Sequence, residues 1–263
     1  MRSLVPLPLV LLALACQSPS ATPLAKSPEP AAIAAQAPAA EPTAPPAVPE
    51  PAPPPAEPQP AAPRADSSQP GFHKDFSDAA AFSRAFDDPG RDAWQRPAEV
   101  IEHLHVPAGS VVVDLGAGTG YFVERLSNAV GPKGQVLALD VEAKMVDFVE
   151  QRAEKHALAN VTARVVAPDD PGLSDGSVAR ILIVNTWHHI DDRAAYAKKL
   201  ARALAPGGEI WVVDFTPDSD LGPPRPHRIP AEQVELELEQ GGLQAEIIAE
   251  QLPKQYMVRA WYQ

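Results

Sequence analysis

The chain carries a single cysteine, Cys16, in 263 residues. One thiol excludes a disulfide scaffold, a zinc site built on paired cysteines and a CxxC redox centre. Positive charge is also scarce. The 22 Lys and Arg stand against 34 Asp and Glu, a net charge of −12. Almost all of that excess lies beyond Pro70, because residues 1–70 hold only three basic and five acidic side chains. A surface this acidic repels phosphate backbones, so no nucleic-acid partner is expected. Glycine is missing from the first 70 residues, while 19 of the 32 prolines fall there. An apolar run long enough to span a membrane is missing as well. Leu4 to Cys16 is interrupted by Pro6 and Pro8, and as a helix it would measure about 20 Å against a bilayer core of ~30 Å.

What the first 16 residues do have is a positive start, an apolar middle and a small-residue end, the layout of a secretory signal peptide. The end, Ala13-Leu14-Ala15-Cys16, resembles a bacterial lipobox, with Ala13 where a leucine is usual. The resemblance implies lipidation of Cys16 and attachment to a membrane, periplasm-facing. A plain signal peptide, or a misread start that leaves the protein cytoplasmic, is the alternative. Residues 17–70 are rich in Pro and Ala and supply almost nothing to a core, so they read as a disordered tether. In polyproline II form at ~3.1 Å per residue it would reach on the order of 150 Å.

From Gly71 onward the composition becomes globular, and about 190 residues suffice for one well-buried α/β domain. Residues 71–105 read as a helical cap, with Phe76, Phe82 and Phe86 offering apolar contacts and Pro97 opening its last helix. Strands are predicted over 110–115, 135–141, 161–167, 179–185 and 209–215, and helices over 119–130, 142–157, 191–205 and 230–240. Two strands, 243–252 and 255–261, close the chain. The first five are apolar without polar alternation, which implies a parallel sheet covered on both faces. The last two are separated only by Pro253-Lys254, too short for a crossover, so one of them runs antiparallel. The fold class is α/β, Rossmann-like: a seven-stranded, mostly parallel sheet with helices on both faces and a C-terminal antiparallel hairpin.

The clearest local signal is Val111-Val112-Val113-Asp114-Leu115-Gly116-Ala117-Gly118-Thr119-Gly120. An apolar strand runs into glycines and then toward a helix, where glycine admits positive φ and lets a ligand approach the backbone. The spacing is GxGxG, whereas a dinucleotide fingerprint would be GxGxxG, and Tyr121 holds that last place. Asp140 ends the second strand 20 residues after Gly120, where a carboxylate can meet two ribose hydroxyls.

These blocks resemble the class I S-adenosylmethionine-dependent methyltransferases of small-molecule type, similar to the ubiquinone/menaquinone-biosynthesis methyltransferases. Val136–Val141, Asp175-Gly176-Ser177, His188-His189-Ile190 and Leu204-Ala205-Pro206-Gly207-Gly208-Glu209 continue the likeness in the same order. The resemblance implies S-adenosyl-L-methionine as cofactor and a small-molecule methyl acceptor as substrate. It implies that the backbone of Gly116, Gly118 and Gly120 passes along the methionine end and that Asp114 holds the loop and helps bind the ammonium. Asp140 would bind the ribose, with Val141 against the adenine face. Ala167 occupies the place of the usual adenine-binding acid, and Asp169 or Asp170 would substitute. Asn185 and Thr186 would line the floor below the methyl group.

His188 and His189 are the candidates for acid/base catalysis near that floor. Neighbouring residues on a loop point apart, so at most one of them faces the site. No set of residues converges on a metal. Methyl transfer asks little of side chains beyond alignment, and needs a base only if the acceptor must lose a proton. Arsenic methyltransferases share the implied fold but need several cysteines. Nucleic-acid amino-methyltransferases carry Asn/Asp-Pro-Pro-aromatic where this chain has Asn185-Thr186-Trp187-His188. A non-catalytic domain that binds adenosylmethionine or a nucleotide at a membrane, and a nucleotide-dependent oxidoreductase, are the competing readings. Export would also separate the domain from the cytosol, where adenosylmethionine is made.

Overall fold

A computed structural model of the chain describes residues 71–72, 79–249 and 252–262. The expected signal segment, Cys16, the Pro/Ala tether and Phe76 lie outside them. The elements follow the order α1 (Ala79–Phe86), α2 (Arg91–Gln95), α3 (Pro97–His103), β1 (Val111–Leu115), α4 (Val123–Val130), β2 (Gln135–Asp140), α5 (Ala143–Lys155), β3 (Val161–Val165), β4 (Val178–Val184), α6 (Arg193–Ala203), β5 (Leu204–Phe215), α7 (Ala231–Gln240), β6 (Gln244–Ile247) and β7 (Gln255–Trp261). A single 3-10 turn, Trp187–His189, joins β4 toward α6.

The sheet order is β3-β2-β1-β4-β5-β7-β6. All pairs are parallel except those made by β7, which runs antiparallel to both β5 and β6. The chain moves outward from β1 to β2 and β3, then returns to place β4 on the other side of β1. That reversal opens a crevice at the carboxyl ends of β1 and β4, where ligands bind in sheets of this kind.

The continuous apolar strands serve two cores at once. Val113, Ile181, Ile183, Ile210 and Val212 face one side, with Tyr196, Leu200, Val234 and Leu238 of α6 and α7. Their neighbours Val112, Leu182, Trp211 and Val213 face the other, with Val100, Leu104, Phe122, Leu126 and Val130 from α3, the start of α4 and their flanks. Period-two side-chain alternation between two cores thus explains why Ile181–Val184 and Ile210–Val213 are apolar at every position.

Several boundaries differ from the sequence expectation. Residues 119–122 form a turn and α4 starts only at Val123, because Gly120 sits at φ +81°, outside helical space. The helix expected over 191–205 starts after Asp192, whose side chain caps it by accepting from Ala195 N–H. It stops at Ala203, and Leu204 is already extended (φ −67°, ψ 128°). Strand β5 therefore begins earlier than predicted, with a register irregularity opposite Val178 and Arg180.

Candidate active site

The glycine turn lies across the carboxyl ends of β1 and β2. Gly116 and Ala117 both donate backbone N–H to Leu139 O, at 2.8 and 3.0 Å. Gly116 has φ +73° and Gly118 φ +54°. A Cβ on Gly116 would run into the Thr186 side chain, so only glycine lets the β1 turn close against the end of β4. At Gly118 the demand is conformational: a Cβ there would meet Phe86 at an ordinary 3.5 Å, and the left-handed backbone is what favours glycine.

Two carboxylates flank this turn. Asp140 accepts Gly118 N–H through Oδ2 at 2.8 Å and Glu142 N–H through Oδ1 at 3.0 Å. Burial holds its carboxyl above the usual range, opposed by these backbone donors. A carboxylate has about four lone-pair positions, so two remain for other donors. Asp114 is 3% exposed, and its Oδ2 has no hydrogen-bond partner among the described residues. Burial, with the Asp140 charge adding and Arg91 opposing, pushes its carboxyl up to about 7. Next to Asp140, Val141 is 48% exposed at the strand end.

The cap approaches from the other side. Arg91 lies over the Tyr121 ring, 3.8 Å from its centroid, and burial lowers its guanidinium to about 10. It donates to Gln95 Oε1 from Nε and Nη2, and to Phe86 O at 2.8 Å from Nη1. Gln95 donates to Gln255, and Gln255 Nε2 donates to Asn185 Oδ1 at 2.5 Å. Asn185 follows β4 in the left-handed region, φ +55°, a conformation asparagine tolerates better than most residues.

The two histidines do not point apart as expected: their ring centroids lie 4.2 Å apart, inclined at 42°, because both sit in the 3-10 turn Trp187–His189. His188 is buried and its Nδ1 lies 2.9 Å from both carboxylate oxygens of Asp214, near the end of β5. Its Nε2 has no partner among the described residues and is not wholly enclosed. The Nδ1 of His189 contacts the Phe72 carbonyl, while Phe72 N–H donates to His188 O at 2.8 Å. The turn carrying both is held from below. Trp187 Nε1 donates to Glu237 Oε2 at 2.8 Å, and Arg193 Nε donates to the same oxygen at 2.9 Å. Glu237 is fully buried.

The structure thus gathers Asp114, Gly116, Gly118, Asp140, Asn185 and His188 at the carboxyl ends of β1, β2 and β4, with Gly120 leading toward α4. Asp169 and Asp170 lie on the turn after β3, where Val166 N–H donates to Asp140 O at 2.9 Å. Lys199 Nζ donates to Asp169 O and comes within 4.0 Å of its carboxylate, and Asp170 accepts Gly172 N–H at 2.8 Å. Sequence reasoning missed Asp214, Arg91, Gln95, Gln255 and Glu237. For Asp214 a signal existed: three apolar strands, VVVD, VLALD and WVVD, each run into an aspartate. Gln95 and Gln255 are joined across 160 residues of chain, and Glu237 reaches Arg193 and Trp187 across 44 and 50, links that no local pattern displays.

These residues fit an adenosylmethionine. The site offers an unpartnered buried acid for its ammonium, a carboxylate with spare lone pairs for its ribose and a glycine turn for its amino-acid end.

Residues 112–208 match the family model described as a methyltransferase domain. An uncharacterised methyltransferase of Mycobacterium tuberculosis is 35% identical over 133 residues, 51% of this chain and 50% of that protein. A ubiquinone/menaquinone biosynthesis C-methyltransferase of Hahella chejuensis is 28% identical over 127 residues, 47% of this chain and 49% of that one. The chain spans about half the length of the curated relatives it matches. The crystal structure of a SAM-dependent methyltransferase from Aquifex aeolicus superposes with a TM-score of 0.66 at 27% identity, covering 72% of this chain and 98% of the other. With the sheet order and the glycine turn, these likenesses make the folded domain similar to the class I S-adenosylmethionine-dependent methyltransferases.

Proposed function

We propose that the protein transfers a methyl group from S-adenosylmethionine to a small organic acceptor. The observation that carries this reading is the partnerless, buried Oδ2 of Asp114 beside the glycine turn, an acid kept ready for a cation. The cofactor supplies a methyl already activated on a sulfonium. The chain's task is then to bind, orient and exclude water. Asp114 draws in the ammonium, and the backbone of Gly116, Gly118 and Gly120 shapes the path of the methionine end. Asp140 uses its remaining lone pairs for the ribose hydroxyls, and Val141 covers the adenine, with Asp169 or Asp170 near its amino group. Asn185 and Thr186 form the floor.

In the proton-moving role, His188 is the stronger of the two histidines. With Nδ1–H committed to Asp214, its Nε2 is the basic nitrogen. His189 braces Phe72 instead. Calorimetric titration with S-adenosylmethionine and S-adenosylhomocysteine tests the reading. Binding of both by wild type is expected, and binding of neither would overturn it.

Export and lipidation of Cys16 form a separate part of the proposal, supported by the sequence of residues 1–16 alone. Fractionation of cells expressing the full chain should find it with membranes, and Cys16→Ser should release it. Equal partition of both forms would refute the anchor.

A further inference from the structure

A guanidinium only donates hydrogen bonds, and this fixes the polarity of a chain of amides running from the helical cap to the cleft. Arg91 donates through Nε and Nη2 to Gln95 Oε1, at 3.3 and 3.1 Å. With that oxygen committed, Gln95 has Nε2 to offer, and it donates to Gln255 Oε1. Gln255 in turn donates through Nε2 to Asn185 Oδ1 at 2.5 Å. Both glutamines are 0% exposed, so neither amide can exchange partners with bulk water. The donor order follows from Arg91 having no lone pair, whichever amide atom is taken as oxygen. The last free group is Asn185 Nδ2, and no described residue accepts from it. Asn185 therefore keeps N–H donors, and no amide acceptor, uncommitted just beyond the carboxyl end of β4.

We propose that the methyl acceptor of this site is a hydroxyl oxygen that gives up its proton, not an amine; the inference rests on the methyltransferase reading above. An oxygen can accept from Asn185 with one lone pair and attack with another. An amine has only one lone pair. A bond from the Asn185 amide would tie it up and leave none for attack on the methyl carbon. His188, held by Asp214, provides the place for the proton. In the balanced step the acceptor oxygen passes its proton to His188 Nε2 and forms a bond to the methyl carbon. The methyl–sulfur bond breaks, its electron pair stays on sulfur, and the sulfonium becomes a neutral thioether.

The test uses the full chain with S-adenosylhomocysteine bound and 4-nitrophenol as probe, because its phenolate is read directly by absorbance. Bound to wild type, the probe should ionise more readily than in water, with the phenolate-to-phenol ratio raised about tenfold by a charge-assisted hydrogen bond. The neutral analogue 4-nitroaniline should bind more weakly than 4-nitrophenol. Gln95→Glu then reverses the chain without touching the cleft. The introduced carboxylate accepts from both Arg91 and a turned-over Gln255, so Gln255 offers its oxygen and Asn185 must present Oδ1. That variant should lose the tenfold gain. Asn185→Asp keeps the bond from Gln255 and should lose the gain too. An unchanged ratio in Gln95→Glu, a preference of wild type for 4-nitroaniline, or failure of 4-nitrophenol to bind would each overturn the proposal. Calorimetry of S-adenosylhomocysteine alone separates the two layers. If it does not bind, the methyltransferase reading falls. If it binds while the probe results fail, only the oxygen assignment falls.

Discussion

Asp114→Asn should remove most of a pH dependence that the wild-type domain shows when empty. Burial raises the Asp114 carboxyl from 3.8 to about 7. Between those values the folded state holds a proton that the unfolded chain has lost, so stability falls as pH rises. At about 1.4 kcal/mol per unit, a shift of about 3 units amounts to about 4 kcal/mol across the window. The penalty is absent below about pH 4, accumulates toward about pH 7 and is complete above it. The asparagine is isosteric and neutral at every pH. It should match or fall below wild type near pH 4 and exceed it by several kcal/mol near pH 8. Asp140 is raised in the same sense, so a weaker slope should persist in the variant. Urea unfolding at several pH values reads the difference directly.

The same acid predicts the proton balance of binding. A cofactor ammonium brought beside Asp114 favours the charged carboxylate, so the acid should ionise as the ligand binds. Near pH 6 wild type should release close to one proton per adenosylmethionine, read as a dependence of calorimetric heat on buffer ionisation enthalpy. Asp114→Asn should release none from this source and should bind more weakly. Identical buffer dependence in the two proteins would refute both the placement of the ammonium and the role of the orphan oxygen.

Asp140→Ala should weaken adenosylmethionine binding by roughly 1.5–3 kcal/mol through lost charge-assisted bonds, and wild-type affinity by calorimetry would mean the ribose lies elsewhere. Asp214→Asn should scramble the His188 tautomer, seen by nitrogen NMR as loss of the Nδ1–H form, while cofactor affinity stays within about threefold; an unaltered tautomer would detach Asp214 from the site. Glu237→Ala leaves Arg193 buried without its carboxylate and should cost about 3–5 kcal/mol, measured as a lower denaturation midpoint. A chain beginning at Gly71 keeps the Gly71 N–H bond to the Asp191 carboxylate and the Phe72 N–H bond to His188 O and should melt and bind like the full chain, since the Pro/Ala-rich sequence of residues 17–70 offers little to bury; a large fall in Tm would overturn that.

The sheet was legible because burial on both faces writes itself as unbroken Val, Ile and Leu, and because the connection before β7 is too short for a crossover, although β6 ends at Ile247 rather than at Leu252 as expected. The glycine turn and Asp140 were legible because backbone geometry and strand position restrict those places locally. Element ends were less so. Leu204-Ala205 continues the helical pattern of α6, yet Leu204 pairs with Val178 and leaves the helix, a tertiary choice. Gln95 and Gln255 read as ordinary polar residues at element ends. Their meaning depends on β7 lying antiparallel beside β5, which sets Gln255 opposite Phe215 and so within reach of Asn185.

Asp114, Asp140 and Asp214 show how one sequence feature diverges in role once packed. Each lies at or next to the carboxyl end of an apolar strand and each is nearly enclosed, at 3%, 9% and 2% exposure. Surroundings, not position, separate them. Asp140 faces backbone N–H groups on both oxygens, so it is a rigid acceptor that braces the glycine turn. Asp214 meets an imidazole and its own neighbour's N–H, so it orients a base. Asp114 alone keeps an oxygen with no partner, and an unmet buried acid costs stability until a cation arrives. That cost is what a ligand relieves on binding. If Asp114 were a structural acid, replacing it with asparagine would weaken the empty domain at all pH values. As a ligand-directed acid, its replacement should strengthen the empty domain above pH 7 and weaken the complex, and the opposite signs of those two effects are the decisive pair of measurements.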